Sequence, residues 1–377
     1  MKIKTVYMDI EEVLAQPVQQ HVYPKRPNIF SRMLLRAVSA PDLKATNFKY
    51  REFEMEKLGK KEPCLVLMNH SSFIDLKIAS TVLYPRPLNI VCTSDGFVGK
   101  ERFMRSLGCI PTRKFVTDTQ LVRDMMFALK KLKSSILMYP EASYTFDGTA
   151  TPLPAGLGKC VKLMGVPVVM IRTYGAFARD PLYNGLRLRK VDVSADISYI
   201  LSPEDIRTKT AEDINGILYE QFSFDNFKWQ QENNVKISEP FRAEGLNRVL
   251  YKCPHCGAEG SMESGGTDIL CNACGKGYTL TEYGFMEAKE GKTEFPHIPD
   301  WYAWERDCVR QEILKGSYKL DVPVDIYMMV NTRKVYGIGE GRLTHGENGF
   351  RLTGCNGKLD YHQHPLASYS LYSDYFW

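Results

Sequence analysis

The sequence predicts an α/β protein with a largely parallel sheet flanked by helices, followed by a zinc ribbon and a small β-rich region. Three observations carry this. From Pro63 to about Val235, short apolar runs alternate with helical patterns, the rhythm of strands joined by crossover helices. Two Cys-x2-Cys-Gly knuckles, Cys253/Cys256 and Cys271/Cys274, stand 14 residues apart. Beyond Asp325 the pattern alternates, with Asn348-Gly349 and Asn356-Gly357 as hairpin signals. A chain of 377 residues has room for two or three domains. The boundaries read as an N-terminal segment 1–62, an α/β domain 63–235, the ribbon 248–282, and a linker helix with a β-rich domain over 283–377.

Taken in order, Pro24-Lys-Arg-Pro27 breaks the chain and Asn28 can cap a helix through Val38. Ile29, Phe30, Met33, Leu34, Ala37 and Val38 fall at helical spacing, with Arg32 and Arg36 on the other side. Such a helix either docks on its own domain or lies in a bilayer interface. Cys64 to Met68 has the length and composition of a buried strand. A helix with Phe73, Ile74, Ile78 and Val82 on one broad face follows. Asn89–Thr93 reads as a strand, Lys100–Leu107 as a helix, and Cys109–Thr112 as an extended piece. Thr117-Asp-Thr-Gln120 is a capping box opening a helix that aligns Leu121, Met125, Leu129 and Leu132. Ser135–Tyr139 is the next strand, Leu157–Met164 a helix and Val168–Tyr174 another buried strand. Leu186 to Leu201 alternates as an edge strand or hairpin, and polar helices close the domain. Further on come a helix holding Trp301, Trp304 and Val309, and a strand on which His362 and His364 share a face. The ending Ser-Asp-Tyr-Phe-Trp377 stops in mid-pattern, as a truncated chain or an end tied into a sheet would.

Charge and cysteine usage narrow the setting. A net charge of +5 is too weak a bias to indicate nucleic acid. Its placement says more: from Lys100 to Lys133 the bases Lys100, Arg102, Arg105, Arg113, Lys114, Arg123, Lys130, Lys131 and Lys133 face only three acids. They form either solvated helix faces or a field attracting phosphate and anionic lipid. No apolar run approaches the ~18 residues needed to cross a bilayer, and the start lacks a signal-peptide core. Six of the ten cysteines are scattered, which favours a reducing cytoplasm over a disulfide framework.

The chemistry centres on Asn69-His70-Ser71-Ser72-Phe73-Ile74-Asp75. His70 falls at a strand-to-helix junction, where α/β proteins place ligands and catalysts. It is the only histidine between His21 and His255. Five helical residues rotate by roughly 140°, so His70 and Asp75 meet only if His70 is in the loop and Asp75 in the first turn. The plainer reading makes Ser72 an N-cap and Asp75 its N3 partner.

That heptapeptide resembles the His-x4-Asp motif of the PlsC-like glycerolipid acyltransferases, the family of 1-acylglycerol-3-phosphate acyltransferases. Three further blocks follow in the family's order: Gly108-Cys-Ile-Pro-Thr-Arg113, Tyr139-Pro-Glu-Ala-Ser143 and Val166-Pro-Val-Val169. The resemblance covers roughly 63–200. It implies His70 as general base, Asp75 as its orienting carboxylate, and Arg113, Glu141, Asn69 and Ser143 as substrate-binding residues. It also implies a donor that is acyl-CoA or acyl carrier protein and a lysophospholipid acceptor at a membrane surface, served by a cytoplasmic, peripherally bound enzyme. The third block departs from the family: its usual Pro-Glu-Gly-Thr-Arg is here Pro140-Glu-Ala-Ser-Tyr144, so one expected phosphate ligand is missing. A different lysolipid or a glycolipid therefore stands as an alternative acceptor. A zinc-ribbon recruitment protein with an inactive α/β half is the rival from another class. The four knuckle thiolates would give Zn²⁺ a closed, structural site with no open position for chemistry.

Overall fold

A computed structural model describes residues 5–113, 118–365 and 367. Its chain divides into two compact units that interleave in sequence. Of the described residues, the first takes 5–31, 87–113, 118–136, 309–365 and 367; the second takes 32–86 and 137–308.

In the second unit, the fully buried apolar strand Leu65–Met68 runs parallel to Val168–Tyr174, in register Leu65 with Val168. Val168–Tyr174 pairs antiparallel with Ser194–Leu201, and that strand is parallel to Lys49–Phe53. The sheet therefore mixes a parallel centre with one antiparallel pairing. Leu186–Leu201 does not behave as one edge strand. Only Ser194–Leu201 is extended, and Lys49–Phe53, exposed along its whole length, forms the rim outside it. The preceding loop is held by buried Arg189, whose guanidinium donates to Tyr183 Oη, Asn184 Oδ1 and the Arg242 carbonyl. A side chain that satisfies three buried acceptors outweighs the alternating pattern.

The helix predicted to end at Val38 runs on, as Ile29–Ala45, past Pro41. Asn28 Oδ1 accepts the Ser31 N–H at 2.8 Å, the expected cap. The helix docks through polar contacts on Ile74–Val82: Ser39 Oγ meets Ser80 Oγ at 3.3 Å and Asp42 pairs with Lys77. Arg32 donates to the Pro85 carbonyl, and Arg36 lies 4.6 Å from the Tyr84 ring centroid. The apolar row is consequently left outside, with Phe30 77%, Met33 52% and Val38 56% exposed.

The ribbon is a four-stranded antiparallel sheet of Met262–Gly265, Asp268–Cys271, Gly277–Leu280 and Met286–Ala288. It shares a core with the α/β body. Ile269, Tyr278 and Leu280 join Phe177, Tyr183 and Phe227 around fully buried Trp301, whose Nε1 donates to the Lys252 carbonyl at 3.0 Å. Trp301 lies in the helix Ile298–Leu314, as the sequence predicts. His297 Nε2 donates to Asp225 Oδ2 at 2.7 Å, and that bond holds the imidazole above the usual histidine range.

In the first unit, Leu88–Thr93 and Cys109–Thr112 pair in parallel. The helix Thr119–Lys130 buries Met125 and Leu129 and is capped by Asp118, which accepts the Leu121 N–H. Thr117, the expected cap, lies outside the described residues, as do Lys114 and the last residues Ser373–Trp377. Among the described residues, the β-rich region is a five-stranded sheet. Leu320–Met328, Val335–Gly346, Gly349–Gly354 and Leu359–Gln363 form its antiparallel part. Thr5–Tyr7 adds a parallel strand beside Val335. Ile10 and Val13 then enter a core with Ile326, Tyr336 and Ile338, so the start of the chain folds with its far end. Asn356 and Gly357 both have positive φ, 55° and 84°, in the last turn, the conformation for which Asn-Gly is suited. His362 donates to the Asn348 carbonyl at 2.9 Å and so serves the hairpin.

Candidate active site

The strand Leu65–Met68 ends at Asn69, and the next helix begins only at Ile74, so His70 lies in the connecting loop. That placement lets Asp75, in the first helical turn, reach back. His70 Nδ1 and Asp75 Oδ2 are 3.1 Å apart, and the same oxygen accepts the N–H groups of Ser71 at 2.7 Å and Ser72 at 3.0 Å. Asp75 therefore does both jobs that the sequence left open: it ties down the helix entry and holds the imidazole. The expected Ser72 cap is incomplete, because Ser72 Oγ accepts from Ile74 at 3.4 Å and not from Asp75. The carboxylate is fully buried, whereas the imidazole retains 20% exposure. With Nδ1–H donated to Asp75, Nε2 carries the lone pair that can take a proton.

The third sequence block wraps the same histidine. The Tyr139 ring stacks on His70 with centroids 4.1 Å apart, and Tyr144 packs at 4.2 Å with a 47° tilt. Phe73 meets Tyr144 edge-on at 5.7 Å; it is exposed and does not join the buried helix face expected of it. Glu141 is buried, with Oε2 accepting the His70 N–H and Oε1 the Thr151 N–H, both at 2.8 Å. Burial pushes its carboxyl up to about 8, against the pull of those two amides. The His70 carbonyl accepts the Thr145 N–H at 3.0 Å.

Of the remaining sequence candidates, Asn69 is buried and its Oδ1 accepts the Thr173 N–H at 2.9 Å, which fastens the ends of two neighbouring strands. Ser143 Oγ donates to the Tyr144 carbonyl at 3.0 Å. The structure thus brings His70, Asp75, Glu141, Asn69 and Ser143 into the second unit, while Arg113 belongs to the first. Arg113 is mostly exposed, with Nε 3.8 Å from Asp118 Oδ2. Of the basic run, Arg105 is structural: it is buried and donates to Glu101 and to the Val22 carbonyl.

Several residues at the site escaped sequence reasoning. Tyr139 opens the third motif block and Tyr144 marks its departure, but neither announces a role at His70, and Thr151 gives no sequence signal. Asp180 is buried and accepts from Arg179 at 3.1 Å and from Ser72; desolvation pushes its carboxyl up to about 6.

At the ribbon, Cys253 Sγ lies 3.8 Å from Cys274 Sγ, and Cys256 Sγ 3.8 Å from Cys271 Sγ. All four sulfurs fall within 4.8 Å of one another. A tetrahedron with Zn–S bonds of about 2.3 Å has edges of about 3.8 Å, so the residues fit the metal.

Residues 50–173 match the family model named Acyltransferase. Among solved structures, the chain is similar to the crystal structure of the 1-acyl-sn-glycerophosphate (LPA) acyltransferase PlsC from Thermotoga maritima. Identity is 15%, the TM-score 0.41, and the match covers 51% of this chain and 76% of that one. No curated protein matches the chain.

The motif departure at residue 142 generates a measurable expectation. Ala142 sits at φ 60°, the left-handed region. That conformation costs a non-glycine residue about 1–2 kcal/mol, more than the roughly 0.5–1 kcal/mol of backbone entropy that a glycine forfeits. Ala142→Gly should therefore stabilise the protein by about 0.5–1 kcal/mol in urea unfolding. A loss of stability would mean that the alanine methyl packs usefully enough to outweigh the strain.

Proposed function

From the match of residues 50–173 to the acyltransferase family model, we propose that the protein moves a fatty acyl group from a thioester to the hydroxyl of a lysophospholipid. The donor is acyl-CoA or acyl carrier protein. The acceptor is 1-acylglycerol-3-phosphate, giving phosphatidic acid. The observation that carries this reading is the 3.1 Å contact of His70 Nδ1 with buried Asp75, inside the family-matched segment.

In this mechanism His70 Nε2 takes the proton of the acceptor hydroxyl as its oxygen attacks the thioester carbonyl. The C–O bond forms, the C–S bond breaks, and the imidazolium returns the proton to the leaving thiolate. Asp75 holds the required tautomer and stabilises the transient imidazolium, as carboxylates do in hydrolase triads. The acceptor hydroxyl attacks directly, so no protein nucleophile is needed. A second acceptor class, another lysolipid or a glycolipid, is favoured by Tyr144, whose ring packs on His70 where the family's motif has arginine.

Two settings complete the proposal. Cys253, Cys256, Cys271 and Cys274 would hold a structural Zn²⁺, supplying the ribbon with a cross-link and the reaction with nothing. The protein works in the cytoplasm at the face of a membrane. No helix among the described residues is long and apolar enough to cross one. The exposed row Phe30, Met33, Leu34 and Val38, with exposed Lys25 and Arg26 just before it, supports shallow insertion into an anionic surface.

Incubating pure protein with acyl-CoA and a panel of lysolipids, with products read by mass spectrometry, tests the reaction. His70→Ala should lose roughly 10²–10⁴-fold in turnover while keeping its melting temperature. Undiminished activity in that variant would sink the mechanism.

Metal analysis should return about one zinc per chain, absent from Cys271→Ser, as four-thiolate sites require. Zinc-free protein with an intact ribbon would remove the metal from the account.

Vesicle flotation tests the helix. Burying a Phe or Leu side chain is worth about 1.5–3 kcal/mol each, so Phe30→Ser with Leu34→Ser should weaken binding at least about tenfold. Both side chains are exposed, so stability should move by no more than about 0.5 kcal/mol. Equal binding with lowered stability would place the helix in the core and the lipid surface elsewhere.

A further inference from the structure

Glu141 falls within a block whose resemblance implies a substrate-binding role, yet its carboxylate is not available for one. It is buried, and each oxygen is engaged by a backbone amide at 2.8 Å, Oε2 by His70 and Oε1 by Thr151. Those two amides belong to segments far apart in sequence: the loop after the strand Leu65–Met68, and the irregular stretch that follows Ala142. The carboxylate joins them.

The consequences converge on one residue. The His70 N–H is bonded to Glu141 and the His70 carbonyl accepts from Thr145, so both polar groups of its backbone are held by 141–151. Its side chain is held at Nδ1 by Asp75. With backbone and one ring nitrogen fixed, the direction of Nε2 is fixed too. Both bonds are short, at 2.8 Å, and buried, where a main-chain donor without a partner is costly; a general base misplaced by about 1 Å can lose about 10²-fold in rate.

We propose that Glu141 is a positioning residue: it sets the catalytic geometry of His70 through the His70 peptide N–H and makes no contact with the acceptor. This rests on the reading of His70 as the general base.

Glu141→Gln separates the two roles. The amide keeps the size of the side chain but offers one acceptor oxygen and one NH₂, so one of the two backbone amides meets a donor instead of an acceptor. The expected result is a fall in kcat of about 10–100-fold, with KM for lysolipid and for acyl-CoA unchanged within about twofold. A rise in the acceptor KM at unchanged kcat would overturn the proposal and return Glu141 to the acceptor site. A second readout does not depend on turnover. In protein selectively ¹⁵N-labelled at histidine, the His70 amide proton, held in a 2.8 Å bond to Glu141 Oε2, should resonate downfield and move upfield in Glu141→Gln. If it does not move, the bond is not what holds His70 and the proposal fails, whatever the kinetics. Should wild type acylate no lysolipid while the resonance shifts as expected, the proposed reaction falls and the positioning of His70 by Glu141 stands. Glu141→Asp, which keeps the carboxyl group but shortens the reach, should give the same kcat-only loss, and provides the test if the glutamine variant does not fold.

Discussion

Everything at the site depends on one buried oxygen, Oδ2 of Asp75, accepting from three donors at once. Two of them, the Ser71 and Ser72 amides, belong to the turn that starts the helix; the third is the His70 ring. An isolated carboxylate with no exposure would be costly to keep charged. Here the amide bonds offset that cost, and they satisfy two buried main-chain donors in the turn that leads into the helix. The capping requirement of the fold and the orientation requirement of the histidine are thus met by the same atom. The two readings of the motif that its spacing suggests are not competitors, because the cap is what brings the carboxylate within reach of the ring.

From that junction a continuous packed route leads to the ribbon. Asn69 is bonded to Thr173, near the end of Val168–Tyr174. The next turn carries Phe177, which packs edge-on against Phe227 with centroids 5.6 Å apart. Phe177 and Phe227 share one core with Tyr278 and Trp301, and Tyr278 lies on the ribbon strand that follows the second knuckle. The ribbon therefore does more than hang from the α/β body: it supplies part of the apolar wall on which the loop after Val168–Tyr174 rests. A cross-link through its four cysteines would stiffen a core that the α/β half also uses. That is the physical argument for giving the metal a structural part.

Period and composition made the central elements legible. Leu157–Met164 and Val168–Tyr174 have the boundaries that the pattern predicts, because an apolar stripe or a fully apolar run leaves few ways to be buried. His70 and Asp75 could be paired once the loop position of His70 was required by geometry. What stayed hidden was long-range and polar. Nothing in Thr5-Val-Tyr7 announces a partner at Val335, since a three-residue strand has no pattern of its own. Thr151 reaches Glu141 through a main-chain amide, which every residue but proline has, so its side chain carries no signal. Arg189 broke an alternating stretch by satisfying three acceptors, two of them supplied by a single turn at Tyr183 and Asn184.

The helix Ile29–Ala45 shows why the period of a pattern does not say which face is inside. A helix with apolar and cationic rows is usually drawn with the apolar row against the body. This one is held by Ser39, Asp42, Arg32 and Arg36, each bonded to or stacked on a side chain or carbonyl at Ile74–Val82 or just after it. Those contacts satisfy the polar row, so the apolar row has no partner among the described residues. Leaving Phe30, Met33 and Val38 in water gives up several kcal/mol that an inverted helix would keep, at about 1.5–3 kcal/mol for each large side chain. A sequence that retains such a row either loses that stabilisation or recovers it on another apolar phase. If the acceptor is a lysolipid, as proposed, the second course places the cost of exposure and the source of substrate on the same surface.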